Sequence, residues 1–532
     1  NTAALVVNSP DEAVTWSEEK AGGLDVTRMG TEQQPILGKS GDRVRIDWGY
    51  LYVAAPQGQS VHEAVGDERA VIGPFLSNGS LPAQADSRMP RPAGDHPPSI
   101  AVVFEVGPVG PEPIQRHLIL AYDEIYPVEY FHVRLKPYWR RNNAQAEDLL
   151  ESAEKDYGRL RKECAAFDKK LMADLKQVGG ERYAEVAALA YRQSLAANKL
   201  ATGPDGKPLL FLKEISSCGC AQTVDVFYPE APLLLLVNPK LLEYTLTPIL
   251  DYATSGKWPY PYSPHDLGTY PLDNARVPSE MESMPVEESG NMLLLVAAIA
   301  KAEGNVEFAS EHWPVLSKWA GYLKANGLDP ANQLCTDDFT GHLAHNTNLS
   351  LKAIEAMGAY AMLAGMLGKK DVAADYRKIA EADAVQWMKM ADDGDHYRLA
   401  FDRPGTWSQK YNLIWDRVLG LNLFPPEVAQ KELAFYRKQE TAFGFPLDSR
   451  AAYTKLDWES WSAALSGSDQ EFQSFFARLS NFANETPTRV PLSDWYWTPD
   501  GTQTGFQARP VVGAVFIRML TDPSMWRRWA TN

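Results

Sequence analysis

Five loop-to-helix junctions of this sequence carry side chains able to do chemistry on a polar substrate. In MPVEESGNM, Glu287 and Glu288 stand side by side in what reads as the first turn of a helix, where the helix dipole favours carboxylates. Asn291 follows Glu288 by three residues and so shares its face. CTDDFTGHLAHNTNLSLKAI then supplies Asp337, Asp338, His342, His345, Asn346 and Asn348. Further along come Trp407, Lys410, Tyr411 and Asp416, then Asp448, Arg450, Lys455, Asp457 and Trp458 in FPLDSRAAYTKLDWESW. RVPLSDWYWT adds Arg489, Asp494 and Trp495, and GFQARP adds Gln507 and Arg509. Two carboxyl groups in a partly desolvated, aromatic-lined hollow have their pKa values pushed apart, so that one protonates a leaving group while the other activates water. Such a pair hydrolyses a glycoside or an amide, and Glu288, Asp338 and Asp457 are its candidates. Plain helix capping and ion pairing are the structural alternative for each.

Other chemistries lose their expected signals. No G-x-S-x-G elbow, Walker loop, dinucleotide fingerprint or paired C-x-x-C occurs. The H-x-x-H from His342 to His345 has metal-ligand residue types but not the H-E-x-x-H pattern, and a hydrogen-bonded structural role for His342 is the simpler expectation. No cofactor is expected, with calcium an option the residues leave open. The formal charge of −16, from 52 basic and 68 acidic residues, would repel a nucleic acid or an anionic membrane, and no uncharged apolar run reaches the length of a bilayer span. The 15 Trp and 23 Tyr, several in Pro-rich loops, suit a small-molecule or saccharide substrate instead. Cys164, Cys218, Cys220 and Cys335 are too few and scattered for a disulfide framework and read as buried or loosely paired thiols.

The elements that position these residues divide by period. Up to about residue 140, short β-branched and aromatic runs bounded by Gly, Pro, Asn and Asp (ALVVN, VTW, DRVRIDWGYLYVAA, SIAVVFEVG, QRHLILAYDEIY, EYFHVRLKPYW) predict an antiparallel sheet domain over 1–140. Residues 58–98 read as long loops. Residues 141–180 predict one long, mostly solvated linker helix. Over 181–532 twelve helical segments are expected, at 181–200, 238–254, 286–303, 307–326, 347–367, 370–392, 410–423, 426–438, 456–466, 469–484, 508–521 and 524–531. Short links alternate with long ones, so six hairpins arranged as a ring would gather every long loop on one rim. The connection at 204–237 breaks this alternation and reads as a β-hairpin through FLKEISS and TVDVFY.

The motifs MGTEQQPILGKSGDRVRIDWGYLYVAAP, FLKEISSCGCAQTVDVFYPEAPLLL, WPYPYSPHDLGTYP, PVEESGNMLLL, TWSQKYNLIWDRVLGLNLFP and FGFPLDSRAAYTKLDWESWSAAL follow in order along nearly the whole chain. In these the sequence resembles the fungal-type extracellular glutaminase A family. The resemblance implies a mostly α protein, an (α/α)6 toroid preceded by a β-sandwich-like domain and a linker helix. It also implies about 200 further residues ahead of Asn1, a precursor part that would complete the sandwich. A secreted or periplasmic hydrolase converting L-glutamine to L-glutamate and ammonia is implied, and an inverting glycoside hydrolase using the same carboxylates is the alternative. A binding protein without turnover is a third reading. On the shared motifs the substrate-binding candidates are Lys213, Asp225, His265, Asp266, Tyr270, Asn291, His345, Asn346, Lys410, Asp448, Arg450, Trp458, Asp494, Trp495, Gln507 and Arg509. The cation for the substrate carboxylate would be Arg450, Arg489, Arg509 or Lys213. The Cys218-Gly219-Cys220 segment departs from the family pattern.

Overall fold

The computed structural model describes residues 11–42, 48–59, 61–96, 98–279 and 282–531. The expected strands at 4–8, and the 43–47 part of the third apolar run, lie outside them. The chain forms two compact units, Asn1–Asp168 with Leu200–Pro208, and Lys169–Lys199 with Leu209–Asn532. The division therefore falls inside the long helix rather than at either of its ends.

In the first unit the strands are β1 (Ala13–Ala21), β2 (Leu24–Thr31), β3 (Tyr50–Pro56), β4 (Val61–Asp67), β5 (Arg91–Pro92), β6 (Pro98–Phe104) and β7 (Ile119–Asp123). Five of them make an antiparallel sheet in the order β5-β1-β2-β3-β7, and β4 pairs with β6. Alternation sends Leu24, Val26, Tyr52 and Ala54 to one face. There Ala146 and Leu150, from the start of the long helix, cover them. Val14 and Met29 point the other way and meet Val65 and Ile100 of the β4–β6 pair, giving the sandwich-like packing.

The region 58–98 is more ordered than its composition suggests. It holds β4 and helix α1 (Glu68–Asn78), whose signals are local ones: Asp67 Oδ1 accepts from the amides of Arg69 at 2.8 Å and Ala70 at 3.3 Å, and Gly79 ends the helix with φ 76°.

The long helix α2 (Ala146–Gly179) leads to α3 (Glu181–Ala196). Helices buried on all sides follow: α4 (Val224–Val237), α6 (Pro285–Glu303), α9 (Thr347–Met366), α11 (Ile414–Leu419) with the 3-10 turn Tyr411–Leu413 before it, and α13 (Leu456–Ala464). The last is the 3-10 segment Pro510–Phe516 running into α15 (Ile517–Leu520). Each packs on the next, and Pro510–Phe516 returns to α4, closing a ring. Around it lie α3, α5 (Pro239–Thr254), α7 (Glu307–Glu311) with α8 (Trp313–Asn326), α10 (Lys370–Met390), α12 (Pro426–Gln439) and α14 (Asp469–Glu485), with α16 (Pro523–Ala530) after the last inner segment. The outer helices are one-sided. In α14 Phe472, Phe475, Phe476, Leu479 and Phe482 face inward and the charges face out.

The expected count of twelve holds only through compensating errors. Segment 224–237 is helix α4 and not a strand, segment 307–326 is two helices, and 524–531 lies beyond the ring as α16. With α4 restored the alternation is complete: inner-to-outer links are short, and the outer-to-inner connections 197–223, 255–284, 327–346, 391–410, 440–455 and 486–509 are long. All inner helices then run the same way, with their N-terminal turns on the rim that carries those loops. α4 escapes a periodicity reading because it is buried all round and contains Pro229 and Pro232. Pro229 cannot donate to the carbonyl of Asp225 four residues back, and Thr336 Oγ1 approaches that carbonyl at 3.5 Å instead.

Candidate active site

Asp225 in the first turn of α4, Glu288 in the first turn of α6, and His265 from the loop between α5 and α6 converge at the rim. His265 Nδ1 meets Asp266 Oδ2 at 2.7 Å, so Nδ1 carries hydrogen and Nε2 faces the other two, 3.5 Å from Asp225 Oδ1 and 3.9 Å from Glu288 Oε1. Asp266 is fixed in turn by the amide of Gly268 at 2.7 Å and by Arg276 at 3.0 Å. Asp225 Oδ1 and Glu288 Oε1 are buried and take no hydrogen bond. Burial, then the charge of Asp225, lifts the Glu288 carboxyl well above its ordinary range. Burial lifts Asp225 to about 7, opposed by His265 and helped by Glu214 and Asp338. Burial would lower His265, but its bond to Asp266 and the surrounding carboxylates carry it well above its ordinary value. The cluster is therefore a set of proton-holding groups that share charge.

Behind it, Asn291 Nδ2 donates to Glu288 Oε2 at 3.1 Å and to Glu287 Oε1 at 3.2 Å, so the expected shared face exists. Glu287 is no solvent-facing cap. It is buried in an ion pair with Lys352 of α9, whose ammonium also lies 4.2 Å from the centre of the Tyr228 ring. Gly290 makes the approach possible, because a Cβ there would stand 2.8 Å from Lys352 Cγ.

A second group surrounds Asp337. Tyr411 Oη donates to Oδ2 at 3.1 Å and Trp458 Nε1 to Oδ1 at 3.1 Å, and the two rings stack 4.1 Å apart. Burial raises Asp337 to about 7 against the pull of Lys455. Next to it in sequence Asp338 reaches solvent, yet desolvation by its crowded surroundings and the Glu214 charge still raise it.

The third group is a wedge of two buried cations. Arg509 lies 3.4 Å from Glu214 and 3.6 Å from Asp494, and Lys455 lies 2.6 Å from Asp494 and 3.0 Å from Asp457. Asp457 takes Lys455 on both oxygens; burial raises it to about 6, partly offset by Lys455 and helped by Asp494. Phe339, Tyr453, Trp495 and Phe506 form an aromatic wall, and the Arg509 guanidinium lies 4.3 Å from the Phe506 ring centre.

The structure thus gathers Glu288, Asp338, Asp457, Asp225, His265, Asp266, Asn291, Trp458, Asp494, Trp495 and Arg509 on one rim. Lys213 lies over Tyr270 at 5.8 Å on the same loop system, and the Gln507 backbone exchanges two hydrogen bonds with Ser216 Oγ. Other expected residues are otherwise engaged. Asn346 caps α9 through the amides of Asn348 and Leu349. His345 points to Asp329 at 2.7 Å with its side chain 42% exposed. Arg489 is exposed and donates to the Asn484 carbonyl, while Asp416 caps Leu423 at the end of α11 away from the rim. Lys410 is buried on the Tyr397 and Ser408 carbonyls, where burial lowers it to about 8. Arg450 is held by Asp448. Glu214 and Lys352 were not anticipated. Lys352 had one signal, a single charge inside the otherwise uncharged run TNLSLKAI.

Two trios have metal-ligand atoms within 4.8 Å of one another among the described residues, Asp225–His265–Glu288 and Glu214–Cys218–Cys220. In the second the sulfurs are joined: Cys218 and Cys220 form a disulfide, correcting the expectation of thiols there, while Cys164 and Cys335 are free.

Comparison with known proteins bears on this site. Residues 180–519 match the glutaminase A six helical-hairpin domain, and residues 1–174 match a domain of unknown function, DUF5127. Glutaminase A of Aspergillus oryzae is 35% identical over 486 residues, covering 89% of this chain and 70% of that protein. A protein of Arthroderma benhamiae named "Probable glutaminase" is 30% identical over 573 residues, covering 89% and 66%. A metal-independent α-mannosidase structure from Streptococcus pneumoniae aligns with a TM-score of 0.47 at 11% identity, over 68% of this chain and 97% of that one, a likeness too distant to bear on chemistry. By the domain match and the identity to the Aspergillus protein together, the chain belongs to the glutaminase A six-hairpin family.

Proposed function

We propose that this chain is a glutaminase-like hydrolase that converts L-glutamine to L-glutamate and ammonia at the rim of the helical ring. The observation that carries the reading is the buried meeting of Asp225, His265 and Glu288, with Asp225 Oδ1 and Glu288 Oε1 turned into the cluster without hydrogen-bond partners. Glu288, kept protonated by burial, is the group to protonate the amide nitrogen as the C–N bond breaks, so that it leaves as ammonia. Asp225, raised to about 7 with His265 opposing the rise, can be ionised near neutral pH and is the group to accept a proton from water as it attacks the amide carbon. Asp338 and Glu214 supply carboxylates for the substrate ammonium, and Arg509 is the cation for its carboxylate. Asp457 stays on Lys455 and serves the charge balance of the site. The Cys218–Cys220 disulfide supports work outside the cytosol. No helix among the described residues is long and apolar enough to cross a membrane.

Ammonia release from L-glutamine by the purified chain tests this. Turnover that falls by at least about a hundredfold in Glu288→Gln and Asp225→Asn is expected. The aromatic wall around Trp495 is the feature that favours the glycoside alternative. Reducing-sugar release from a glycan panel, with no ammonia from glutamine, would select that reading.

A further inference from the structure

We propose that the Asp225–His265–Glu288 cluster is also a binding site for a divalent transition-metal ion of the Zn2+ class, and that the bound ion blocks hydrolysis by occupying the atoms that handle protons. The blocking half rests on the acid–base reading above; the binding half does not.

Four observations meet at this point. The three donor atoms lie within 4.8 Å of one another, with His265 Nε2 at 3.5 Å from Asp225 Oδ1 and 3.9 Å from Glu288 Oε1. Zinc–nitrogen and zinc–oxygen distances of about 2.0–2.1 Å put neighbouring donors of a tetrahedron roughly 3.3–3.4 Å apart, so the two edges that meet at His265 Nε2 need to contract by only about 0.1–0.6 Å. Asp225 Oδ1 and Glu288 Oε1, the two oxygens nearest the imidazole nitrogen, are buried and without hydrogen-bond partners. The second oxygen of Glu288 is already held by Asn291 at 3.1 Å, which fixes which oxygen faces the ion. Finally, Asp266 takes the Nδ1 hydrogen of His265 and is itself held by Gly268 and Arg276, the carboxylate–histidine arrangement that orients metal-binding imidazoles.

The donor set selects the ion. Two carboxylates and one imidazole balance a dication and leave a fourth position open. Calcium prefers six to eight oxygen ligands, and magnesium a nearly complete octahedron of them, which one nitrogen and two carboxylates do not supply. An ion on Glu288 Oε1, Asp225 Oδ1 and His265 Nε2 occupies the positions through which the proposed hydrolysis passes protons, and any hydrogen those atoms carry leaves to solvent as the ion binds.

The test is calorimetric titration of the chelator-treated full chain with ZnCl2 and, separately, CaCl2 at pH 7.5, with melting curves confirming the fold of each variant. One Zn2+ per chain is expected. Affinity should fall at least about tenfold in His265→Ala and in Glu288→Gln, by about tenfold to a hundredfold in Asp266→Asn, and should hold in His345→Ala. Folded protein that takes up no Zn2+, or that binds it unchanged in His265→Ala, overturns the site, and tighter binding of Ca2+ overturns the class of ion. In the ammonia assay Zn2+ should inhibit in proportion to occupancy, and stimulation would overturn the blocking role. Absence of ammonia release without metal defeats the proposed activity alone, because the isotherm still reads the site.

Discussion

Arg450 and Asp448 hold each other in a two-pronged ion pair, Nε to Oδ1 at 3.0 Å and Nη2 to Oδ2 at 2.6 Å, closed within three residues of chain. Arg450 commits Nε and Nη2 to one close carboxylate, whereas Arg509 meets Glu214 and Asp494 only at 3.4 and 3.6 Å and keeps its buried Nε without a hydrogen-bond partner. Arg509→Lys, which keeps the charge and loses the fork, should raise KM for glutamine by about tenfold or more. Arg450→Lys should change it by less than about threefold. Steady-state ammonia release decides between them, and equal effects would remove Arg509 from its proposed role.

The Lys352–Glu287 pair is buried beneath the site, so breaking it should cost more than the pair contributes. Lys352→Met leaves a carboxylate enclosed without its cation and is expected to lower stability by about 3–5 kcal/mol. The double change Lys352→Met with Glu287→Gln should recover a large part of that loss. Urea unfolding of the four proteins in a double-mutant cycle measures it.

Glu230, buried on α4, accepts from Ser194 Oγ at 2.8 Å and Asn198 Nδ2 at 2.7 Å, while its other oxygen has no partner. Burial raises its carboxyl to about 8. The folded state then holds a proton that the unfolded chain has released, so this group's stability contribution is present below about pH 4.5 and is lost as pH rises through about 8. The loss is at most about 1.4 kcal/mol per pH unit. Glu230→Gln keeps the acceptor oxygen and removes the titration, so its melting temperature should fall less than wild type between pH 5 and 8. Parallel curves for the two proteins would show that Glu230 does not titrate in that window.

Trp458 is expected to matter through its indole hydrogen. Trp458→Phe retains most of the stack on Tyr411 but takes one of two donors from Asp337, at a cost of about 1–3 kcal/mol read from the denaturant midpoint.

Much of the ring is legible in sequence because its outer helices, such as α14, bury one face and so carry a 3.6-residue period. The loop-rich rim follows from the spacing of those helices. What escapes is whatever burial on all sides erases: α4 has no polar face to set its phase, and its two prolines imitate a loop. The candidate site was legible by residue type, since Glu288, Asn291, Asp338 and Arg509 all reach the rim, but partnership was not. Nothing in the order of residues tells that Asp448 occupies Arg450, or that Lys410 sinks onto the carbonyls of Ser408 and Tyr397. The Asp448–Arg450 pair is a local turn whose closure spacing alone does not reveal, while the contact of Lys410 with Tyr397 and the pairing of Glu214 with Arg509, separated by 295 positions, depend on loops meeting in space.

Closure of the ring by Pro510–Phe516 against α4 sets the order of events in biosynthesis. While a ribosome still holds Pro510–Phe516, α4 lacks its final neighbour and Glu214 lacks Arg509. The ring and the Glu214–Arg509 pair are therefore completed together, in one late step that waits on Pro510–Phe516.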